Sequence, residues 1–518
     1  LILFIFSCAL YGGALKHGFV WDDEAAFVNA PEIRDTRNIP SFFLNPVFAG
    51  NDEAENLSAG SIQYYRPLLS TLHVLEYRWF GSNPLGYKVV NLLLNGLVVA
   101  CAFLLVQTLT GKTTIAFLAS LLYAANPARG EVVYWAYSDS HIFAALFSLL
   151  TLLAYCRGRL ILALSLMVVG LLFQEGVILV AVTLFAYESF SSGSREKSWQ
   201  RLIPFFSLAA VYLVLRHTMV GALPVVNLDF FTRVRAAAYL VVKHVKIFFV
   251  TDAPVTMYRY VPGMFSPAGQ ATAMIALAAG FVVLLGVWFW LRQRRLFFWY
   301  SWFFIWIAMA FNVGAYADYL MAEKSLYLSA LGPCVILASL VPETGFRRRV
   351  GFLLILVFAG YQSWVTVSRG QYWINTETYI EKLLEFEPAY DVARYQLGAT
   401  YLQSGQYEKA VGQFETLRTL SSPLGRHRYT EWLLVDAYGR WGQQLAESGD
   451  CNRALAVFEK TLKTLPNTST MYYRLGTVHD QCGDQERAMA AWEKALILDS
   501  GNAKVRYRLE RMRRERTQ

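Results

Sequence analysis

Charge is what this sequence has least of. Asp, Glu, Lys and Arg supply only 16% of its 518 residues, while 55% are hydrophobic and 15% aromatic, against roughly 25% charged in an ordinary soluble domain. That shortage excludes a soluble protein over the whole length and leaves a polytopic membrane protein with a soluble part attached. Cysteine is also sparse. Of the six, Cys8, Cys101, Cys156 and Cys334 lie in apolar runs as small hydrophobes. Cys451 and Cys482 lie in a polar tail, and the sequence leaves open whether they pair. No Gly-rich phosphate loop, nucleotide-binding crossover or Ser/His/Asp order occurs, which argues against a nucleotide-sugar donor. His17, His73 and His141 are scattered without metal-ligand spacing and read as structural. The formal charge of +9 does not point to nucleic acid, because the basic residues gather in short loops between apolar runs, as the positive-inside rule expects.

Long hydrophobic runs are what the sequence does have. Leu1–Leu15 is apolar but shorter than the roughly 20 residues a span needs, so the reading expects residues ahead of Leu1. Further candidate spans are Val89–Leu109, Thr113–Ala125, Ile142–Tyr155, Leu160–Phe173, Val177–Phe190, Ile203–Leu215, Thr272–Leu291, Phe297–Phe311, Leu326–Leu340 and Phe352–Val367. The aromatic run Trp288 to Trp306 reads as interface belt and lipid-facing surface. Val234–Val250 is apolar but carries Arg235, Lys243, His244 and Lys246 at helical spacing on one side, and reads as a helix lying in the interface. With the N-terminus inside, about 11 transmembrane helices leave Lys112, Arg157 and Arg159, Arg195 to Arg201, Arg292 to Arg295 and Arg347 to Arg349 in the cytoplasm; a further span would flip the last two clusters. The polar loop 16–87 and everything after the last span are then exoplasmic.

The tail, 371–518, changes composition and carries a repeat of 34 residues. One copy begins near Asp391 with Leu397-Gly398, Tyr401, Gly405, Ala410 and Phe414. A second, from Val435, has Gly442, Gly449, Ala454, Phe458 and Pro466. A third, from Ser469, has Leu475-Gly476, Gly483, Ala488, Trp492 and Ala495. Small residues that let two helices approach, with aromatics filling between repeats, make the tetratricopeptide pattern. About ten extra residues near Gly425 to Tyr429 separate the first two copies. Trp373–Pro388 reads as the second helix of a degenerate leading repeat, and the basic finish Arg506–Arg516 as a polar capping helix.

Between these parts lies Phe19-Val20-Trp21-Asp22-Asp23-Glu24, three acids against the end of an apolar segment. Acids there are costly unless a site uses them; the plainer reading is a solvated turn capping a helix. Together with Tyr65-Arg66-Pro67-Leu68, Gly86-Tyr87 through Asn91-Leu92-Leu93-Leu94, Asn126-Pro127 with Glu131, Leu215-Arg216 with Gly221, Tyr258-Arg259-Tyr260 and Glu323-Lys324-Ser325-Leu326-Tyr327, this stretch resembles the transmembrane and tetratricopeptide-repeat-containing O-mannosyltransferases and their bacterial relatives, within the C-type (GT-C) glycosyltransferases. Departures are Asn126-Pro127 for His-Pro, Asp139 and His141 for an Arg and an acid, Gln174-Glu175 for Lys-Glu, and Glu323-Lys324 for Glu-Arg.

The resemblance implies an all-α, polytopic GT-C-type membrane domain (1–370) followed by a tetratricopeptide-repeat α-solenoid. It implies transfer of a sugar, mannose in the family, from a polyprenyl phosphate to Ser or Thr hydroxyls of an exported polypeptide held by the repeats. In an inverting transfer one carboxylate takes the acceptor proton while the leaving phosphate needs positive charge. Asp22 or Asp23 is the expected base, and if the backbone is extended the two face opposite ways. Glu24, Glu131, Glu175 and Glu323 are candidates for substrate binding, with Arg66, Arg216 and Lys324 for the phosphate; the plainer fate of such basics is snorkelling to headgroups. No cofactor is required, though a divalent cation, magnesium or manganese, on Asp22 and Asp23 stays open. The expected partners are membrane lipid and lipid-linked sugar. The setting is a bacterial inner membrane with loop and repeats in the periplasm, or an endoplasmic-reticulum membrane with both in the lumen. The alternatives are a transferase acting on a glycan or glycolipid, and a non-catalytic scaffold recruiting partners through its repeats.

Overall fold

The computed structural model describes all residues except 46, 49–62, 191–194, 222–228, 252–256, 259–269, 309–320, 421–426 and 518. Arg259 and Tyr260 of the expected motif lie outside the described residues. The chain divides into two compact units, Leu1–Lys382 and Leu383–Gln518. Both are helical, apart from two antiparallel ladders in the first, Val47–Phe48 on Gln63–Tyr64 and Met257–Tyr258 on Met321–Ala322.

In the first unit apolar runs become helices because only helices satisfy every backbone group within hydrocarbon without a partner strand. Among the described residues four stretches are long and apolar enough to cross a bilayer: Pro84–Thr110, Ala136–Cys156, Trp199–Val220 and Gly345–Trp373. The expected eleven are not reached on length and composition. Several expected spans are short or broken. Arg294–Ile307 has 14 residues, about 21 Å at 1.5 Å per residue against an apolar layer about 30 Å thick. Leu326–Ser329 and Leu331–Ser339 are separate helices, and Glu175–Ile178 is a 3₁₀ turn ahead of Leu179–Phe190.

Pro84–Thr110 organises the packing. The ring of Phe4 lies against Gly96, where an added Cβ would come within 2.8 Å of it, and Asn95 Nδ2 donates to Ser7 Oγ at 2.9 Å. Asn95 Oδ1 accepts from Arg129, a buried cation held between the rings of Tyr123 and Tyr327 at 3.8 and 4.4 Å. Two expectations are corrected here. Trp299, Trp302 and Trp306 are core rather than lipid-facing, although Trp288 and Trp290 are exposed. The amphipathic helix spans Phe230–Phe249, but His244 is buried on its inner face, hydrogen-bonded to Leu240 O at 2.7 Å and Ser325 Oγ at 2.6 Å, and does not join the basic side.

In the second unit the repeat pattern becomes helix pairs: Asp391–Gln403 with Tyr407–Thr419, His427–Glu447 with Cys451–Thr464, and Ser469–Gln481 with Gln485–Leu498. The insertion before the second pair is in part an N-terminal extension of its first helix. Gly398, Gly442 and Gly476 each face an aromatic ring of the paired helix, Phe414, Phe458 and Trp492, and an added Cβ would lie 2.4 to 2.5 Å from it. Ala503–Thr517 caps the array with Val505, Leu509 and Met512 packed near Trp492. A disulfide joins Cys451 at the start of one helix to Cys482 after another, settling the pairing the sequence left open.

Two glycine substitutions should move stability in opposite directions. Gly476→Ala drives a methyl into Trp492 and to 2.9 Å from Ala488 O, and is expected to cost about 1–3 kcal/mol. Gly412→Ala has nothing within 4 Å and should stabilise its helix by about 0.5–1 kcal/mol. Denaturant unfolding of the full chain checks both signs.

Candidate active site at the acidic corner

The corner is built on a strained residue. Trp21 has φ 54, the positive value among non-glycine residues described, a conformation that costs a bulky side chain on the order of 1–3 kcal/mol. Its N–H donates to Thr376 Oγ1 at 3.0 Å and its ring meets Tyr379 edge-on at 5.9 Å. The backbone then turns helical, with Asp23 at φ −57, ψ −40, so the extended geometry that would face the two aspartates opposite ways does not apply. The two aspartates still end in different surroundings.

Asp23 is wholly buried. Its Oδ2 accepts from the N–H of Val20 at 3.0 Å and of Ala136 at 3.3 Å, and its Oδ1 accepts from the N–H of Tyr137 at 2.7 Å. Lys88 Nζ lies 3.6 Å from Oδ2 and also donates to Tyr134 O. Burial pushes this carboxyl up, against the pull of Lys88 and the three N–H groups. Asp22 and Glu24 keep solvent-accessible surface although protein surrounds their other sides. That loss of water raises Asp22 to about 6, with Lys324 pulling down and Asp23 pushing up. The same loss of water and the Asp23 charge raise Glu24.

Beside Asp22 the motif Glu323-Lys324 meets the short helix Gly130–Tyr134 that carries Glu131. The Lys324 N–H donates to Glu131 Oε2 at 2.7 Å, and the ammonium lies 5.2 Å from the centre of the Trp135 ring. Glu131 is buried with Oε1 unpartnered. Burial raises it to about 8; Lys324 opposes this and Glu323 adds to it. Glu323, also buried, receives Arg369 at 3.0 and 3.1 Å. A second cluster joins Arg66 and Glu175 in a two-pronged pair, Nε to Oε2 at 3.0 Å and a terminal nitrogen to Oε1 at 2.8 Å. Arg66 also lies 4.1 Å over the Tyr64 ring. Burial alone would raise Glu175, but the Arg66 charge and hydrogen bonds hold it at about 2, with Arg216 adding to the pull. Lys324, Arg66 and Glu175 all act electrostatically on His141.

The structure therefore brings the expected residues into two neighbouring groups, Asp22, Asp23, Glu131, Glu323 and Lys324 in one and Arg66, Glu175 and Arg216 in the other. It adds Lys88, Arg369 and Thr376, which sequence reasoning missed. Lys88 had a legible signal, a lone cation at the edge of an apolar run. Both oxygens of Asp23 accept from protein donors.

Residues 469–502 match the family model for the tetratricopeptide repeat. The chain is 33% identical over 153 residues to the human protein O-mannosyl-transferase TMTC1, covering 29% of this chain and 17% of that protein. It is 30% identical over 196 residues to the Drosophila melanogaster protein O-mannosyl-transferase Tmtc1, covering 36% of this chain and 22% of that protein. With human protein O-mannosyl-transferase TMTC3 it is 29% identical over 151 residues, covering 29% of this chain and 16% of that protein. The matches thus span only 16 to 22% of these relatives' length. An apo oligosaccharyltransferase from Archaeoglobus fulgidus is a distant structural likeness, with TM-score 0.42 at 15% identity, covering 84% of this chain and 59% of that chain. The resemblance drawn from the motifs holds: the relatives are protein O-mannosyl-transferases, and the tail carries a tetratricopeptide repeat.

The two aspartates should separate experimentally. Asp23→Ala strips Lys88 and three N–H groups of their acceptor and is expected to cost about 3–5 kcal/mol. Asp22→Asn, at an acid that keeps solvent-accessible surface, should melt within a degree or two of wild type. Thermal unfolding in detergent makes the comparison.

Proposed function

We propose that this chain is a membrane glycosyltransferase that moves a sugar, mannose by its similarity to protein O-mannosyl-transferases, from a polyprenyl-phosphate donor to Ser or Thr hydroxyls of an exported polypeptide. The observation that carries the reading is the division between adjacent acids. Asp23 is spent on the fold, while Asp22 is open to a reactant and its carboxyl, raised to about 6, suits a general base near neutral pH.

In the proposed step Asp22 takes the proton of the acceptor hydroxyl as that oxygen attacks the anomeric carbon from the face opposite the phosphate. The bond to the phosphate oxygen breaks, and the departing lipid phosphate takes the electron pair. Lys324 and Arg216 stabilise that charge. Arg66, already gripped by Glu175, positions the Arg216 side of the site, and Glu24 accepts hydrogen bonds from sugar or acceptor hydroxyls. Glu131 and Glu323 hold Lys324 and Arg369 in place.

An exoplasmic corner and repeat array fit this reading, in the periplasm of a bacterium or the lumen of the endoplasmic reticulum. The Cys451–Cys482 disulfide supports it, since such bonds persist in oxidising compartments. The curved face of a repeat array suits an extended peptide, which makes polypeptide the favoured acceptor.

Purified protein supplied with polyprenyl-phosphate mannose and a Ser/Thr-rich peptide should label the peptide, and Asp22→Asn should slow transfer by about 10²-fold or more. Because the base must be ionised, the wild-type rate should rise with pH through about 6 and then level. An Asp22→Asn enzyme of full activity would sink the reading.

A further inference from the structure

Outside the acidic corner lies a second constellation, made by two helices that the transfer step does not use. His73 and Glu76 sit one turn apart on the Pro67–Phe80 helix, so they share a face. Asp139 opens the Asp139–Cys156 helix opposite them. The three side chains are buried, and a ligand atom from each lies within 4.8 Å of the others. His73 Nε2 and Asp139 Oδ2 are 3.0 Å apart. Glu76 Oε2 and Asp139 Oδ1 are both buried without a hydrogen-bond partner. The walls are largely aromatic: Phe27 meets the His73 ring edge-on at 4.9 Å and Tyr137 lies 5.7 Å from it.

Two carboxylates and one imidazole in such a place are poorly compensated. A buried charge needs partners, and an orphaned buried acceptor costs about 1–3 kcal/mol. A dication among the three would meet both orphaned oxygens and the imidazole together.

We propose that His73, Glu76 and Asp139 bind one divalent first-row transition-metal ion, with zinc the fitting occupant. Zinc takes both imidazole nitrogen and carboxylate oxygen at about 2.0–2.2 Å, whereas manganese is suited by carboxylate, carbonyl and water rather than by imidazole. Donors around a tetrahedral zinc at about 2.1 Å lie about 3.4 Å apart, so the cluster closes onto an ion by side-chain movements on the order of 1 Å. The ion ties the helix that starts beside Arg66 to the helix that starts beyond Tyr137, whose N–H holds Asp23. Its role is to position, since none of its ligands is among the groups assigned to transfer. The site is also independent of the transferase reading and stands whatever the substrate is.

Full-length protein in detergent, loaded with zinc and dialysed into metal-free buffer, should retain about one zinc per chain by mass spectrometry. Glu76→Gln, which keeps the shape and can hydrogen-bond Asp139, should weaken zinc binding at least tenfold, and His73→Gln likewise, while Asp22→Asn keeps the ion. Cobalt should give wild type a visible d–d absorption that Glu76→Gln lacks, which reads the site even if His73→Gln folds poorly. Zinc should raise the melting temperature of wild type and not of Glu76→Gln. Wild type that holds neither zinc nor cobalt overturns the proposal. So does Glu76→Gln binding as tightly as wild type, or loss of the ion in Asp22→Asn but not in Glu76→Gln.

Discussion

A carboxylate without water must be surrounded by donors, and Asp23 meets that demand with three backbone N–H groups and Lys88. Those donors come from its own turn, from the 3₁₀ turn Ala136–Ser138 ahead of the Asp139 helix and from the Pro84–Thr110 helix. Satisfying one buried charge therefore fixes where three parts of the chain meet. The strained Trp21 is held there by Thr376 and Tyr379, so the segment after the last long helix closes the same corner. Asp22 owes its position to these contacts and contributes to none of them.

Other buried charges repeat the device. Glu323 with Arg369, Glu131 with the Lys324 N–H, and Arg66 with Glu175 each join residues far apart in the chain. Such pairs add little net stability, because desolvation offsets most of the attraction, but losing one partner is costly. That asymmetry suits a site whose side chains must hold one geometry. It also accounts for the interrupted helices around it. Residues 323–325 form a 3₁₀ turn, and the freed N–H of Lys324 is the group that Glu131 accepts.

What the sequence made legible follows from locality. Apolar runs marked where most helices of the first unit begin and end, and the repeat was readable residue by residue because each Gly–aromatic contact recurs at a constant distance along the chain. The count of eleven spans is not reached on length and composition among the described residues, since hydropathy does not reveal that Leu326–Leu340 breaks at Ala330 or that the Arg294–Ile307 helix has only 14 residues. Location of the acidic corner was visible in Trp21-Asp22-Asp23-Glu24. The assignment of one acid to structure was not, because its decisive donors lie at Ala136 and Tyr137. For the same reason Glu175 could not be matched to Arg66 beforehand, nor His73 and Glu76 to Asp139. Side-chain spacing reports which residues share a helix face, whereas these partners are chosen by the tertiary fold.

The most direct test of the division between the acids is a structure of the full chain with a non-transferable polyprenyl-phosphate sugar and an acceptor peptide. The account predicts the Asp22 carboxylate within hydrogen-bond distance of the acceptor hydroxyl, with Asp23 still bound to Ala136, Tyr137 and Lys88. An acceptor hydroxyl on Asp23, released from those donors, with Asp22 turned to solvent, would contradict it.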